Sequence, residues 1–125
     1  MDKAMYDKGM SVRRAVLGDE YVDAAMKNVD DFNQPLQDIL NEYCWGAIWG
    51  RDGLPRKTRS MLNLAMISIL NRPHELRVHI KGALTNGVTK DEIREIFMQV
   101  AIYAGVPAAV DAFRQAREAF KEKGV

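Results

Sequence analysis

Glu75 and His79 stand four residues apart in the stretch LNRPHELRVHIKGALTNG (70–87), which opens a helix at Pro73 and closes it at Asn86-Gly87. Four residues make one helical turn, so both side chains project from one face. That pairing has a chemistry. An ionised Glu75 raises the pKa of His79 and holds it as a cationic proton donor near neutrality. The same spacing also serves an ordinary surface ion pair. Glu75 falls in the first turn after Pro73, where a negative charge is favoured, and His74, Arg77 and Lys81 extend a solvated polar face. From spacing alone the ion pair is the stronger reading.

A second cluster lies in GRDGLPRKTRS (50–60), where Pro55 places Arg56, Lys57 and Arg59 in the first turns of a helix. Carboxylates are normally favoured there, because the free amides form the positive end of the helix dipole. Free amides with two arginines make an anion site, and a guanidinium grips a carboxylate with two parallel hydrogen bonds. Salt bridges to acidic residues elsewhere are the competing explanation, and by sequence alone the stronger one. Trp45 and Trp49 share a helix face, which fits a core or subunit interface first and a substrate wall second. Cys44, between Tyr43 and Trp45, reads as a buried, inert thiol with no second cysteine to resolve a disulfide. Two histidines and one cysteine offer no metal-ligand spacing, and no glycine-rich phosphate loop or nucleophile elbow occurs.

The elements that position these residues read as helices throughout. A capping box at Thr89 and Glu92 starts a helix over 89–104, and Ile93, Ile96, Phe97, Val100, Ala101 and Ala104 recur along one stripe. Gly105 ends it. The last helix starts near Pro107 and stops at Gly124. Helices over 73–85 and 55–70 precede these, with another from Pro35 to about Trp49, one over 20–31 and a short one over 10–17. No stretch alternates as a strand would. The run MLNLAMISIL (61–70) is apolar on nearly all sides, so it is expected at the centre of the fold or under another subunit. The N-terminal 30 residues form an apolar helical arm (Met5, Tyr6, Met10, Val12, Val16, Leu17, Tyr21, Val22), either a subunit contact or folded back on its own core.

The chain has 125 residues, which suggests one domain over 1–125. It is 47% hydrophobic and 28% charged, with net charge +1, so neither a nucleic-acid nor a membrane surface is indicated. The ten-residue apolar run is too short to span a bilayer. The charged start MDKAMYDKGM lacks a secretory core, and the lone cysteine fits a reducing compartment. The expected location is the cytoplasm.

Taken in order, W-G-x-x-W-x-R-x-G-L, R-K-T-R-S, E-L-x-x-H, G-A-L-x-x-G-V-T-x-x-E-I and Y-x-G-V-P-A-A resemble the gamma-carboxymuconolactone decarboxylase family over about residues 5–120. The resemblance implies an all-α, alkyl hydroperoxidase D-like helical bundle. It also implies a trimer-based or hexameric homo-oligomer. The hydroperoxidase branch carries C-x-x-C before a histidine that matches His79. Here Arg72 and Glu75 occupy the cysteine positions, so the dithiol peroxidase reaction is not available. The decarboxylase branch carries E-x-x-x-H, matched by Glu75 and His79. The implied activity is a carboxy-lyase that needs no cofactor or metal. It removes carbon dioxide from gamma-carboxymuconolactone, or a related small carboxylic acid, in aromatic catabolism. Under that reading His79 donates the proton, with Glu75 as its orienter or as general base. Arg56 or Arg59 holds the retained carboxylate, and Trp45 and Trp49 line the pocket. Val110-Asp111 departs from the Asn and polar residue that many family members carry after G-V-P-A-A, which bears on substrate identity. The alternatives are a thiol oxidoreductase using Cys44 and a binding protein for a small organic acid.

Overall fold

A computed structural model describes residues 1–125 and contains seven α-helices, one π-helical segment and no strands. The all-α fold class is the one the periodicity predicts. The helices divide into two compact units, Met1–Pro55 and Arg56–Val125.

The first unit holds α1 (Lys3–Leu17), α2 (Asp19–Lys27), α3 (Gln34–Ile39) and a π-helical segment, Leu40–Ile48, that continues α3. Helix α1 is twice the expected length. It begins where the Asp2 side chain accepts from the Met5 amide at 3.1 Å, an N-cap just ahead of the first helical residue. Helix α2 stops at Lys27, short of 31, and the Asp30 carboxylate then accepts from the Phe32 and Asn33 amides. The expected α-helix from Pro35 to Trp49 winds as α only to Ile39.

Backbone proximity accounts for how α1 meets the π segment. A Cβ on Gly9 would overlap the Asn41 carbonyl, and one on Gly46 would press on the Met5 carbonyl. Two glycines therefore let the two backbones touch, which no other residue permits here. Around that contact Val12, Val16, Trp45 and Trp49 form the core of the unit. So the arm folds onto the π segment of its own unit. Arg13, 5% exposed, crosses the interior and donates to Gln37 Oε1 and Asn41 Oδ1, both at 3.0 Å. Its stem covers apolar surface while its Nη1 satisfies the buried amide of Asn41 and the half-buried one of Gln37, leaving the buried Nε without a partner.

The second unit holds α4 (Arg56–Leu70), α5 (Pro73–Thr85), α6 (Lys90–Ala104) and α7 (Val106–Lys123). The boundaries of α5 are those read from Pro73 and Asn86-Gly87. Thr89 and Glu92 form the expected capping box, with reciprocal bonds of 3.1 and 2.9 Å. The α6 stripe of Ile93, Phe97 and Val100 packs on Leu64, Leu76, Ile80, Ala112 and Ala116. The short side chains on α7 allow close approach of the helices.

The apolar run 61–70 is not enclosed. Leu64 is fully buried, but Leu62, Met66, Ile69 and Leu70 face out. Leu62 and Ile69 join Met61, Ala65, Ile96, Val100 and Tyr103 around a groove of about 370 Å³ between α4 and α6. The run is apolar on several faces, yet only one face meets the core of its unit. No helix of the chain is long and apolar enough to cross a membrane.

Candidate active site

Four of the six residues singled out by sequence lie in the second unit: Arg56 and Arg59 at the start of α4, and Glu75 and His79 on α5. Antiparallel packing sets their levels. Asn86, at the end of α5, donates through Nδ2 to Ser60 Oγ at 2.9 Å. One turn along α4, Asn63 Nδ2 lies 3.5 Å from His79 Nδ1. Arg59 precedes Asn63 by one turn of α4, and Glu75 precedes His79 by one turn of α5. A polar strip therefore runs in the order Arg59, Asn63 with His79, Glu75.

The ion pairs bear on the question that the placement of the arginines raised. Lys57 pairs with Glu92 at 3.1 Å, but neither Arg56 nor Arg59 makes an ion pair within the chain. The Nε atom of half-buried Arg59 is sealed from solvent and has no hydrogen-bond partner. A buried donor left unmatched costs about 1–3 kcal/mol, and an anion arriving there would recover it. This positive helix start keeps two cations without intramolecular compensation.

On α5 the polar residues divide between two faces. Arg77 donates to Gln115 Oε1 at 3.0 Å and pairs with Glu122, and Lys81 also pairs with Glu122. These contacts bind α5 to α7 and explain most of its polar surface. Glu75 takes no part in them; it is exposed and forms no ion pair.

His79 overturns one expectation. Its pKa falls from 6.5 to about 4, because desolvation of the half-buried ring outweighs the attraction of Glu75. Glu75 does pull in the expected direction. It sits in solvent, however, where water screens its field, while the imidazole loses hydration directly. His79 is therefore neutral at pH 7 and is not held as a cation.

Trp45 and Trp49 belong to the first unit. They are 4% and 5% exposed, with ring centroids 4.9 Å apart and planes at 31°, and they pack with Val12 and Val16. Cys44 beside them is half-buried, and burial raises its thiol pKa against the opposing pull of Arg13. A thiol held protonated is a poor nucleophile. No group of three or more metal-ligating side chains comes together anywhere in the chain.

Asn63 is the member of the strip that sequence reasoning passed over. It is visible only as a polar interruption in MLNLAMISIL, 16 residues away from the imidazole it meets. Val110 is exposed, and Asp111 half-buried, on the first turns of α7.

The fold is all-α, with one of its two imidazoles, His79, half-buried beside Asn63, no dithiol, and two arginines without ion pairs at the start of α4. The chain belongs to the Carboxymuconolactone decarboxylase family, whose model matches residues 34–118. It is 42% identical over 124 residues to the 4-carboxymuconolactone decarboxylase of Acinetobacter baylyi, covering 99% of this chain and 92% of that protein. It is also 42% identical over 112 residues to the nitrosuccinic acid decarboxylase of Metarhizium robertsii, covering 90% of this chain and 78% of that one. A 45-residue match at 44% identity to the 4-carboxymuconolactone decarboxylase of Pseudomonas putida covers 36% of this chain and 94% of that protein.

Proposed function

We propose that the protein is a carboxy-lyase that removes carbon dioxide from a small dicarboxylate, with gamma-carboxymuconolactone as its substrate. The observation that carries this reading is the pair of uncompensated arginines on α4, one with a sealed and unpartnered Nε, on the strip that leads to His79. The two kinds of named relative support the substrate class. Carboxymuconolactone and nitrosuccinic acid share a second carboxylate, and each has an electron-withdrawing group placed to take up the electron pair released at the carbon that loses carbon dioxide.

The chemistry follows from that shared design. The carbon–carbon bond to the departing carboxylate breaks, and its electron pair spreads through the unsaturated lactone onto the ring carbonyl oxygen. Carbon dioxide leaves without charge. A proton then adds to the ring carbon next to the carbonyl, giving the 3-oxoadipate enol-lactone. A cation clamped on the departing group would stabilise the ground state more than the transition state. Arg59, with Arg56, instead holds the retained carboxylate. Neutral His79 donates a hydrogen bond to the forming oxyanion, where fixed donors in a dry site lower the barrier most. Transfer of its only ring proton to carbon would leave an imidazolate, so the proton comes from a water positioned by Glu75, and the hydroxide left behind is taken up by the released carbon dioxide as bicarbonate or neutralised by bulk solvent. This revises the role of His79 from proton donor to neutral electrophile.

The protein works as a cytoplasmic homo-oligomer, built on trimers. The exposed apolar groove between α4 and α6 supports this, since such a surface is costly to leave in water. A second copy of the chain is its occupant.

The test is turnover. Purified protein is given gamma-carboxymuconolactone, and separately nitrosuccinate, while substrate absorbance is followed. Turnover of the lactone with loss of activity in His79→Ala is the expected result. Turnover of nitrosuccinate alone would move the substrate, and inertness toward both would end the decarboxylase reading.

A further inference from the structure

We infer that Asn63 is a positioning residue for His79: its side-chain amide donates to Nδ1 and holds the imidazole in the tautomer that carries its proton on Nε2. The inference rests on the reading of His79 as the reacting imidazole, and its test does not depend on which substrate is turned over.

The position of Asn63 is otherwise unexplained. It interrupts an apolar run between Leu62 and Leu64, half-buried, where an amide is costly unless bonded. His79 is the one residue to which its side chain hydrogen-bonds. Two antiparallel contacts, Ser60 with Asn86 and Asn63 with His79, fix α4 and α5 in register, so this pairing is built into the helix packing. At 3.5 Å the bond is long, as catalytic hydrogen bonds are before substrate tightens the site.

The choice of tautomer matters because the ring is neutral. A neutral imidazole has one N–H and one lone pair, and the partner at one nitrogen decides which faces outward. With Nδ1 accepting from Asn63, Nε2 carries the proton and is the ring nitrogen able to donate to an oxyanion. The opposite tautomer would present a lone pair to developing negative charge and repel it. An asparagine can in principle turn its amide and accept from Nδ1–H, so the two orientations predict opposite states of the ring.

Imidazole 15N shifts of labelled, full-length protein at pH 7 separate them. His74→Gln removes the other histidine from the spectrum and assigns the signals of His79. The wild type is expected to show an unprotonated Nδ1 and a protonated Nε2. Asn63→Asp places an acceptor at the same site and is expected to move the proton to Nδ1. Asn63→Leu is expected to give a mixture of tautomers, and Asn63→Gln to restore the wild-type pattern in part. With the lactone, Asn63→Asp should lose at least about tenfold in kcat while KM stays within about threefold. Thermal unfolding of each variant establishes that it is folded. A wild-type ring protonated at Nδ1 overturns the inference, as does a tautomer unchanged in both Asn63→Asp and Asn63→Leu. If the lactone is not a substrate the kinetic readout disappears with that reading, and the spectra still decide the role of Asn63.

Discussion

Acidification from pH 7 to pH 4 should cost the protein about 3 kcal/mol through His79 alone. The unfolded imidazole titrates near 6.5 and the folded one at about 4. Each tenfold in binding is about 1.4 kcal/mol, which sets that magnitude as an upper bound for a ring that keeps some solvent contact. The direction follows from proton uptake. Between the two pKa values the unfolded chain binds a proton that the folded chain refuses, so stability falls as pH falls through this window. The contribution is fully present above the unfolded value and is gone below about 4. Urea unfolding of wild type and His79→Gln, measured at half-unit steps from pH 7.5 to 4, isolates it, since glutamine does not titrate. The stability difference between the two proteins should shrink toward acid, by at most about 3 kcal/mol. A parallel NMR titration of the His79 ring should show no midpoint above pH 5. A midpoint at or above 6.5 would mean that Glu75 controls the ring after all, and would refute the neutral electrophile.

Other outcomes are expected elsewhere in the molecule. Arg59→Ala should raise KM for a dicarboxylate by roughly tenfold to a hundredfold, from loss of a charged hydrogen-bonded contact, with Arg59→Lys recovering only part of it. Gly9→Ala should destabilise the first unit by about 2 kcal/mol or more, read as an early loss of tryptophan fluorescence in denaturant, because its Cβ would overlap the Asn41 carbonyl. Thr89→Ala should cost about 1 kcal/mol in thermal or chemical unfolding, since it removes the cap of α6. Cys44 should resist alkylation at pH 7 in the folded protein and react readily once unfolded, following its raised thiol pKa.

What could be read from the chain divides along the range of the interactions involved. Thr89 and Glu92 cap α6 as their spacing foretells, because a capping box is complete within four residues. Pro73 and Asn86-Gly87 bound α5 for the same reason. The π-helical segment 40–48 had no such signature. Apolar spacing in a wide turn differs too little from α spacing, and the segment packs against Gly9, more than 30 residues upstream, whose lack of a side chain admits the backbone of Asn41. The first half of α1 carried a signal that was passed over, the Asp2 cap. Of the two positions expected for the apolar run of α4, the fold removes the central one and leaves cover by another subunit, because hydrophobicity on several faces shows that a helix is costly to expose, not what covers it.

The same division explains the error over His79 and where it leads. Glu75 is four residues away, so its pull on the ring could be read from the sequence. The burial of the ring depends on packing that no spacing records, and burial is the larger effect. Arg59 shows the converse. Its excess of charge was legible, while the lack of any acidic partner was visible only once every ion pair in the fold was placed. In the proposed function these two facts make the site asymmetric, with uncompensated positive charge at Arg59 at one end and the neutral His79 ring, assigned there as donor, at the other. A decarboxylase for a dicarboxylate needs that asymmetry. The carboxylate that stays keeps its charge and benefits from a cation throughout, whereas the charge of the one that leaves migrates to an oxygen and needs a donor that appears favourable only there. A cationic His79 would bind either carboxylate in the ground state and blur the distinction. Its neutrality is therefore the condition for telling the two carboxylates apart, and the charge of one imidazole at pH 7 is the measurement on which the mechanism stands.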